Sequence, residues 1–180
     1  VCILASLAFG KHVYPNQVET EGITNISLED VSYIENAGGV IKLLGQIKYI
    51  NDNEIAAFVS PAVVYNGSQL ASVKDVFNAI LVRGDAVGDV CFYGPGAGKL
   101  PTASAVVADI IDCAKHSDRK KIFGWGEGSE NYVVDYKEKI EMPFYVRAKA
   151  TPNEVNSKFA DVKFLSRKGQ PSDEVAFITD

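Results

Sequence analysis

Histidine, cysteine and methionine are scarce in this 180-residue chain, which has two His, three Cys and one Met. Cys2, Cys91 and Cys113 are odd in number, show no CxxC spacing and each lie in an apolar stretch. That pattern predicts buried free thiols and a reducing, cytoplasmic setting. His12 and His116 stand alone, so no metal site is expected. Basic charge is also short: 18 Lys and Arg against 23 Asp and Glu leave a net charge of -5. Nucleic acid and anionic membranes require clustered Lys and Arg, so neither is an expected partner. The densest basic run, Arg119-Lys120-Lys121, reads as a solvated helix end. No apolar run reaches the roughly 18 residues of a membrane span. A starter Met is missing too. Val1 to Phe9 is apolar throughout and lacks the basic leader of a signal peptide. It reads as the inside of a buried helix, with the expectation that the natural chain starts earlier.

What is present is an ordinary globular composition, 47% apolar and 23% charged. The length suits one domain, or one domain with a small appendage. Gly10 should end the first helix. Ser27 with Asp30 three residues on is a capping-box start for a helix to about Ala37, stopped by Gly38-Gly39. Ile41–Ile50 and Glu54–Val64 flank the turn Asn51-Asp52-Asn53 and read as a hairpin, with Pro61 pushing the second strand toward an edge or a bend. Phe77–Val82 and Val87–Tyr93 form a second hairpin-like pair around Arg83-Gly84-Asp85-Ala86. A helix from about Thr102 to His116 follows, its wide apolar face predicting cover on more than one side. Residues 117–141 read as a connector with a short strand near Tyr132–Asp135. Residues 142–180 read as β-α-β-β: Phe144–Lys149, a short helix from Pro152, Val162–Ser166 and Val175–Ile178.

One motif carries chemistry. Val90-Cys91-Phe92-Tyr93 runs into Gly94-Pro95-Gly96-Ala97-Gly98-Lys99-Leu100-Pro101-Thr102 and then a helix. A strand, a Gly-rich loop and a helix N-terminus together bring backbone N–H groups close to an anionic ligand. The loop is neither a Walker A motif nor a dinucleotide fingerprint, because its glycines are wrongly spaced for both. Spacing alone leaves a tight connection and a ligand cradle both open.

The longer pattern narrows that choice. Phe77 to Gly88, Phe92 to Gly98 and Pro101 to Asp109 resemble the end of the catalytic domain of homoserine dehydrogenases. Ile3 to Gly10 and Glu21-Gly22-Ile23 resemble the same family further upstream. The likeness covers about residues 1–116. It implies NADP- or NAD-dependent interconversion of L-homoserine and L-aspartate 4-semialdehyde, in threonine and methionine biosynthesis. It further implies a small-molecule substrate, a homo-dimer or higher homo-oligomer, and an α+β fold. The expected architecture is a mixed, largely antiparallel sheet packed against helices, with a small ACT-like βαββ module at the C-terminus. Domains are expected at 1–116 (substrate binding and dimerisation), 117–141 (connector) and 142–180 (partial ACT-like module). In the family the Gly-rich loop faces the nicotinamide, a role that falls here on Gly94, Gly96 and Gly98, with Thr102 beside them. The helix after it packs on the cofactor domain. The family's acid/base lysine would immediately precede Val1, so the resemblance assigns no catalytic residue to this chain, and the chain alone is expected to be inactive. Thr151-Pro152-Asn153-Glu154 stands where the family's ACT module has an Asp-x-Pro-Gly turn. The alternative is a non-catalytic dimerising and regulatory module that binds an amino-acid effector.

Other residues read as structural. His12 is expected at a helix end, against terminal carbonyls. Glu21 is expected to make a loop hydrogen bond, and Asp85 to serve a turn. Lys99 should be solvated. Trp125 should anchor the connector by burying its ring. Asp109 and Asp112 should form a solvent edge or pair with Lys115.

Overall fold

The computed structural model describes residues 1–120 and 122–179. It divides the chain into two compact units, Val1–Tyr65 with Gly124–Asp180, and Asn66–Phe123. The second unit is therefore an insertion in the first. These cuts differ from the sequence-based divisions at 117 and 142.

The larger unit opens with α1 (Cys2–Phe9), ended by Gly10 at φ 72°, whose N–H donates to Ser6 O. Only Gly holds that backbone conformation without a Cβ penalty. Ser6 is buried. Its Oγ donates to Cys2 O at 2.7 Å and accepts from Val13 N–H at 2.9 Å, fixing the chain as it leaves the helix. Ala5, Val13, Ile55 and Tyr132 form the local core. Ile3, Leu4 and Leu7 are exposed, so one face of the helix is covered within this chain, whereas full burial was expected.

The first sheet has the order β1-β3-β2, with β1 (Glu19–Thr20) parallel to β3 (Glu54–Tyr65) and β2 (Gly39–Asn51) antiparallel to it. The turn is held by Asn51 Oδ1, which accepts from Asn53 N–H. Pro61 sits in the central strand, yet the ladder loses nothing there. Val59 O faces β1, accepting from Glu21 N–H, so by strand alternation the missing Pro61 N–H faces the same way. β1 reaches only Phe58 and Val59. The expected strand at Tyr132–Asp135 is instead a single bridge, Val133 beside Ile55, followed by a short helix α4 (Tyr136–Lys139). Tyr136 stacks on Phe58 at 3.9 Å between ring centroids, closing a core cluster with Ala56.

α2 (Leu28–Asn36) starts with the anticipated capping box. Ser27 Oγ accepts from Asp30 N–H, and Asp30 Oδ2 accepts from Ser27 N–H. The chain ends as β6 (Tyr145–Lys149), α5 (Pro152–Asn156), β7 (Val162–Leu165) and β8 (Glu174–Thr179), an antiparallel sheet of order β6-β8-β7. Tyr33 and Ile34 of α2 pack with Leu165 and Ala176 of that sheet. The C-terminal β-α-β-β segment thus shares a core with the N-terminal part.

The inserted unit contains a hairpin, β4 (Phe77–Gly84) with β5 (Gly88–Pro95), and the helix α3 (Lys99–Lys115). The three-residue turn ends on Gly88 at φ 72°, and Asp85 Oδ1 accepts from Ala86 N–H within it. α3 buries no residue, where cover on more than one side was expected. The structure is α+β, and the described residues form three sheets where the sequence suggested one principal sheet.

Candidate functional site

The Gly-rich segment comes off β5 and turns directly into α3, so the helix begins three residues earlier than the Thr102 start expected from sequence. Gly96 N–H donates to Val76 O at 3.1 Å, folding the loop back beside β4. A Cβ on Gly96 would lie 2.1 Å from Asn78 Nδ2 and 3.2 Å from Asn78 Cβ, so a side chain there would displace Asn78. Gly98 is the N-cap of α3 at φ 113° and ψ 159°, a conformation restricted to Gly. Gly94 is different: no atom lies within 4 Å of the place a Cβ would occupy. Thr102 N–H donates to Gly98 O at 3.2 Å, and its side chain is exposed. No side chain caps the first turn of α3, and no acidic residue lies in it. Gly94, Gly96, Gly98 and Thr102 are thus brought together at one uncapped helix start. Lys99 is exposed, as expected.

A second constellation was not visible in the sequence. Asp30, only 6% exposed, sits at the centre of a charged network in the larger unit. Its Oδ1 accepts from Arg147 Nε at 2.7 Å and from the Tyr145 hydroxyl at 2.8 Å. Arg147 Nη1 reaches Glu174 Oε2 at 3.0 Å. Glu174 Oε1 accepts from the Tyr33 hydroxyl and from Arg167 Nη2. Burial alone would raise the Asp30 carboxyl. Hydrogen bonds from Arg147, the Ser27 N–H and Tyr145 outweigh it and hold the group at about 2. Burial and the bond to Asp30 push the Tyr145 phenol up. The Asp30 and Glu174 carboxylates push the Arg147 guanidinium up. The capping box marked Asp30, but its partners lie more than a hundred residues away.

Several single residues differ from expectation. His12 Nδ1 accepts from Trp125 Nε1 at 3.0 Å, so the imidazole holds the half-buried indole and not the helix carbonyls. Asp112 contacts His116 Nδ1 at 3.0 Å, a partner the sequence did not suggest. The Glu21 side chain makes no hydrogen bond among the described residues; only its backbone N–H does. Cys113 is exposed, against the expectation of buried thiols, while Cys2 and Cys91 are half-buried. No helix of the described residues is long and apolar enough to cross a membrane. Among them, no group of three or more His, Cys, Asp or Glu is placed to hold a metal ion.

Comparison with known proteins identifies the architecture. The family model for homoserine dehydrogenase matches residues 1–111. The homoserine dehydrogenase of Lactococcus lactis is 40% identical over 115 residues, 64% of this chain and 27% of that protein. The Helicobacter pylori homoserine dehydrogenase is 39% identical over 145 residues, 81% of this chain and 34% of that protein. The crystal structure of a homoserine dehydrogenase from Thiobacillus denitrificans superimposes with a TM-score of 0.78 at 30% identity, covering 99% of this chain and 43% of that one. The Staphylococcus aureus homoserine dehydrogenase at pH 6.0 gives 0.73 at 29% identity, with 98% and 45% covered. The chain therefore spans about a quarter to a third of the curated relatives it matches and less than half of the solved ones. Residues 112–180 lie beyond the family model, yet both solved structures include a counterpart for them. By family model, sequence identity and structure, the chain belongs to the homoserine dehydrogenase family.

Proposed function

We propose that this chain is the substrate-domain part of an NAD(P)-dependent enzyme that interconverts L-homoserine and L-aspartate 4-semialdehyde. The observation that carries this reading is the Gly94–Thr102 turn on a helix start that no side chain caps. The residues fit a nicotinamide cofactor on structural grounds. Space is open above Gly94, and Gly98 keeps the entry to α3 free of side chain. A bound nicotinamide cofactor supplies the hydride carrier. Gly94, Gly96, Gly98 and Thr102 form a slim wall that lets it approach, and the helix dipole favours nearby negative charge. The chemistry of proton transfer is assigned to no residue between Val1 and Asp180. Among the described residues β2 pairs with β3 alone, at the end of the β1-β3-β2 sheet, and an edge strand of this kind supports a homo-dimer or higher homo-oligomer.

The test is homoserine-dependent reduction of NADP and of NAD by the longer parent protein, with the 180-residue chain run in parallel. Activity in the parent and none in the chain alone is the expected result. Activity in neither overturns the reading.

A second reading is a regulatory module that takes an amino-acid effector through residues 142–180. The core shared by α2 and the C-terminal sheet favours it, because coupling between sites needs packed contact. Calorimetric titration of the chain with L-threonine tests it; flat traces at millimolar ligand sink it.

A further inference from the structure

Asparagine is chemically labile where the next backbone nitrogen can reach its side chain. That nitrogen attacks the amide carbon most readily when the next residue is Gly, which has no Cβ to obstruct it. Of the ten asparagines in the sequence, Asn66 alone is followed by Gly. The pair lies in the turn after β3, where the inserted unit begins. Asn66 and Gly67 are both exposed. The Asn66 side-chain amide and the Gly67 N–H have no hydrogen-bond partner among the described residues. No atom stands within 4 Å of the place a Cβ on Gly67 would occupy. The next fixed point is Ser68, whose Oγ accepts from Leu70 N–H.

At the other asparagines the fold or the following side chain stands in the way. The N–H after Asn16, Asn25, Asn36, Asn131 and Asn156 donates to a backbone carbonyl. The N–H after Asn153 donates to the Thr151 hydroxyl. The side chains of Asn51 and Asn78 are hydrogen-bonded. Asn53 is followed by Glu54, the first residue of β3. Only at Asn66 are the amide carbon and the attacking nitrogen both left unheld among the described residues, with no side chain between them.

We infer that Asn66 is a site of spontaneous deamidation to isoaspartate. The Gly67 nitrogen bonds to Asn66 Cγ as the Cγ–Nδ2 bond breaks. Ammonia leaves with the proton that the Gly67 N–H gives up, so the rate rises with pH. The two residues then share a succinimide ring. Water opens it at either carbonyl, giving aspartate or isoaspartate, and nothing is oxidised or reduced. Either product carries one more negative charge. In the isoaspartyl form the main chain runs through the former side chain and is one carbon longer between Tyr65 and Ser68. Its free carboxylate is a substrate for enzymes that methylate isoaspartyl residues.

The experiment is incubation of the 180-residue chain in mildly alkaline buffer, folded and in urea, read by peptide mass spectrometry and by labelling with an isoaspartyl methyltransferase. In the folded chain the Asn66 peptide should gain one dalton before any other asparagine peptide and should accept methyl groups. Its rate should lie within a few-fold of the rate in urea, because the fold shields neither reacting group. The other asparagines should react more slowly folded than in urea. Asn66→Gln should remove the early methyl labelling, and Gly67→Ala should slow it several-fold. Both positions are exposed, and the space beside Gly67 is open, so circular dichroism should be unchanged in either variant. A gain at Asn66 that appears only in urea overturns the inference, as does an earlier gain at another asparagine of the folded chain. Methyl labelling that survives Asn66→Gln, or a rate that Gly67→Ala leaves unaltered, overturns it too.

Discussion

The two units of this chain distribute their apolar side chains in opposite ways. Residues 1–65 and 124–180 place Tyr33, Ile34, Ile55, Phe58 and Phe177 in closed clusters and tie them with a buried charged network. Residues 66–123 form a regular hairpin and a 17-residue helix, but α3 buries nothing, and Leu100, Val106, Val107, Ile110 and Ile111 stay exposed. The difference shows that regular secondary structure and a finished core are separate achievements. Local hydrogen bonding gives the insertion its hairpin and helix. Enclosure needs partners from distant sequence, which the larger unit has. A contiguous exposed apolar surface of this kind marks an association surface.

The contrast can be broken most strongly in the larger unit. Phe58→Ala removes a fully buried ring and its stack on Tyr136, and should cost about 3–5 kcal/mol in a urea melt. A loss below about 1 kcal/mol would show that the cluster can collapse, and the contrast would weaken.

Asp30→Asn tests the network. It removes one of the two carboxylates that hold Arg147 and leaves the bond to Glu174, with an expected loss of about 1.5–3 kcal/mol, the usual cost of losing a hydrogen bond to a charged group. The same group predicts a pH dependence. Its carboxyl is depressed from 3.8 to about 2 in the fold, so the folded state prefers it ionised. Its contribution, about 2 kcal/mol, is fully present above pH 4 and is lost as pH falls toward 2. Urea midpoints of the original chain and of Asp30→Asn should therefore converge over that window. A gap that stays constant assigns the stability elsewhere.

The insertion should respond less. Gly98→Ala forces a Gly-only backbone region and should cost about 1–3 kcal/mol, read as lost protection of α3 amides in hydrogen exchange. Smallest of all is Ile110→Lys. At an exposed position it should change stability by less than about 0.5 kcal/mol while reducing self-association in light scattering. A large destabilisation there would mean that α3 is packed in solution and would erase the difference between the units.

Legibility from sequence followed range. Both hairpins, the α2 capping box and the C-terminal β-α-β-β order rest on local signals, and each lies close to its predicted place. The glycine turn was equally legible, because Gly98 and Gly96 are required by backbone angle and by contact with Asn78. β1 was missed because two residues carry no periodicity. α4 was missed because a single turn in Tyr136–Lys139 has no repeat to reveal it; Asp135, its N-cap, was the one available sign. The partners of Asp30 depend on how distant strands meet, which no local pattern encodes. The degree of enclosure was misread at α1 and α3 for a related reason. An apolar stripe tells that a helix can be covered, not that this stretch of chain supplies the cover.

The insertion of residues 66–123 also bears on how the molecule is made. Asp30 and Arg147 lie 117 positions apart, and Tyr33 and Glu174 lie 141 apart. During synthesis the larger unit cannot close until its last strands have left the ribosome, whereas β4 and β5 can pair as soon as they emerge. Closing so long a loop is cheap at equilibrium, about 0.6 kcal/mol for each doubling of length, but slow to reach. The nascent chain thus spends that interval with β2 and β3 lacking their C-terminal cover, the period in which its exposed strands most need shelter from neighbours.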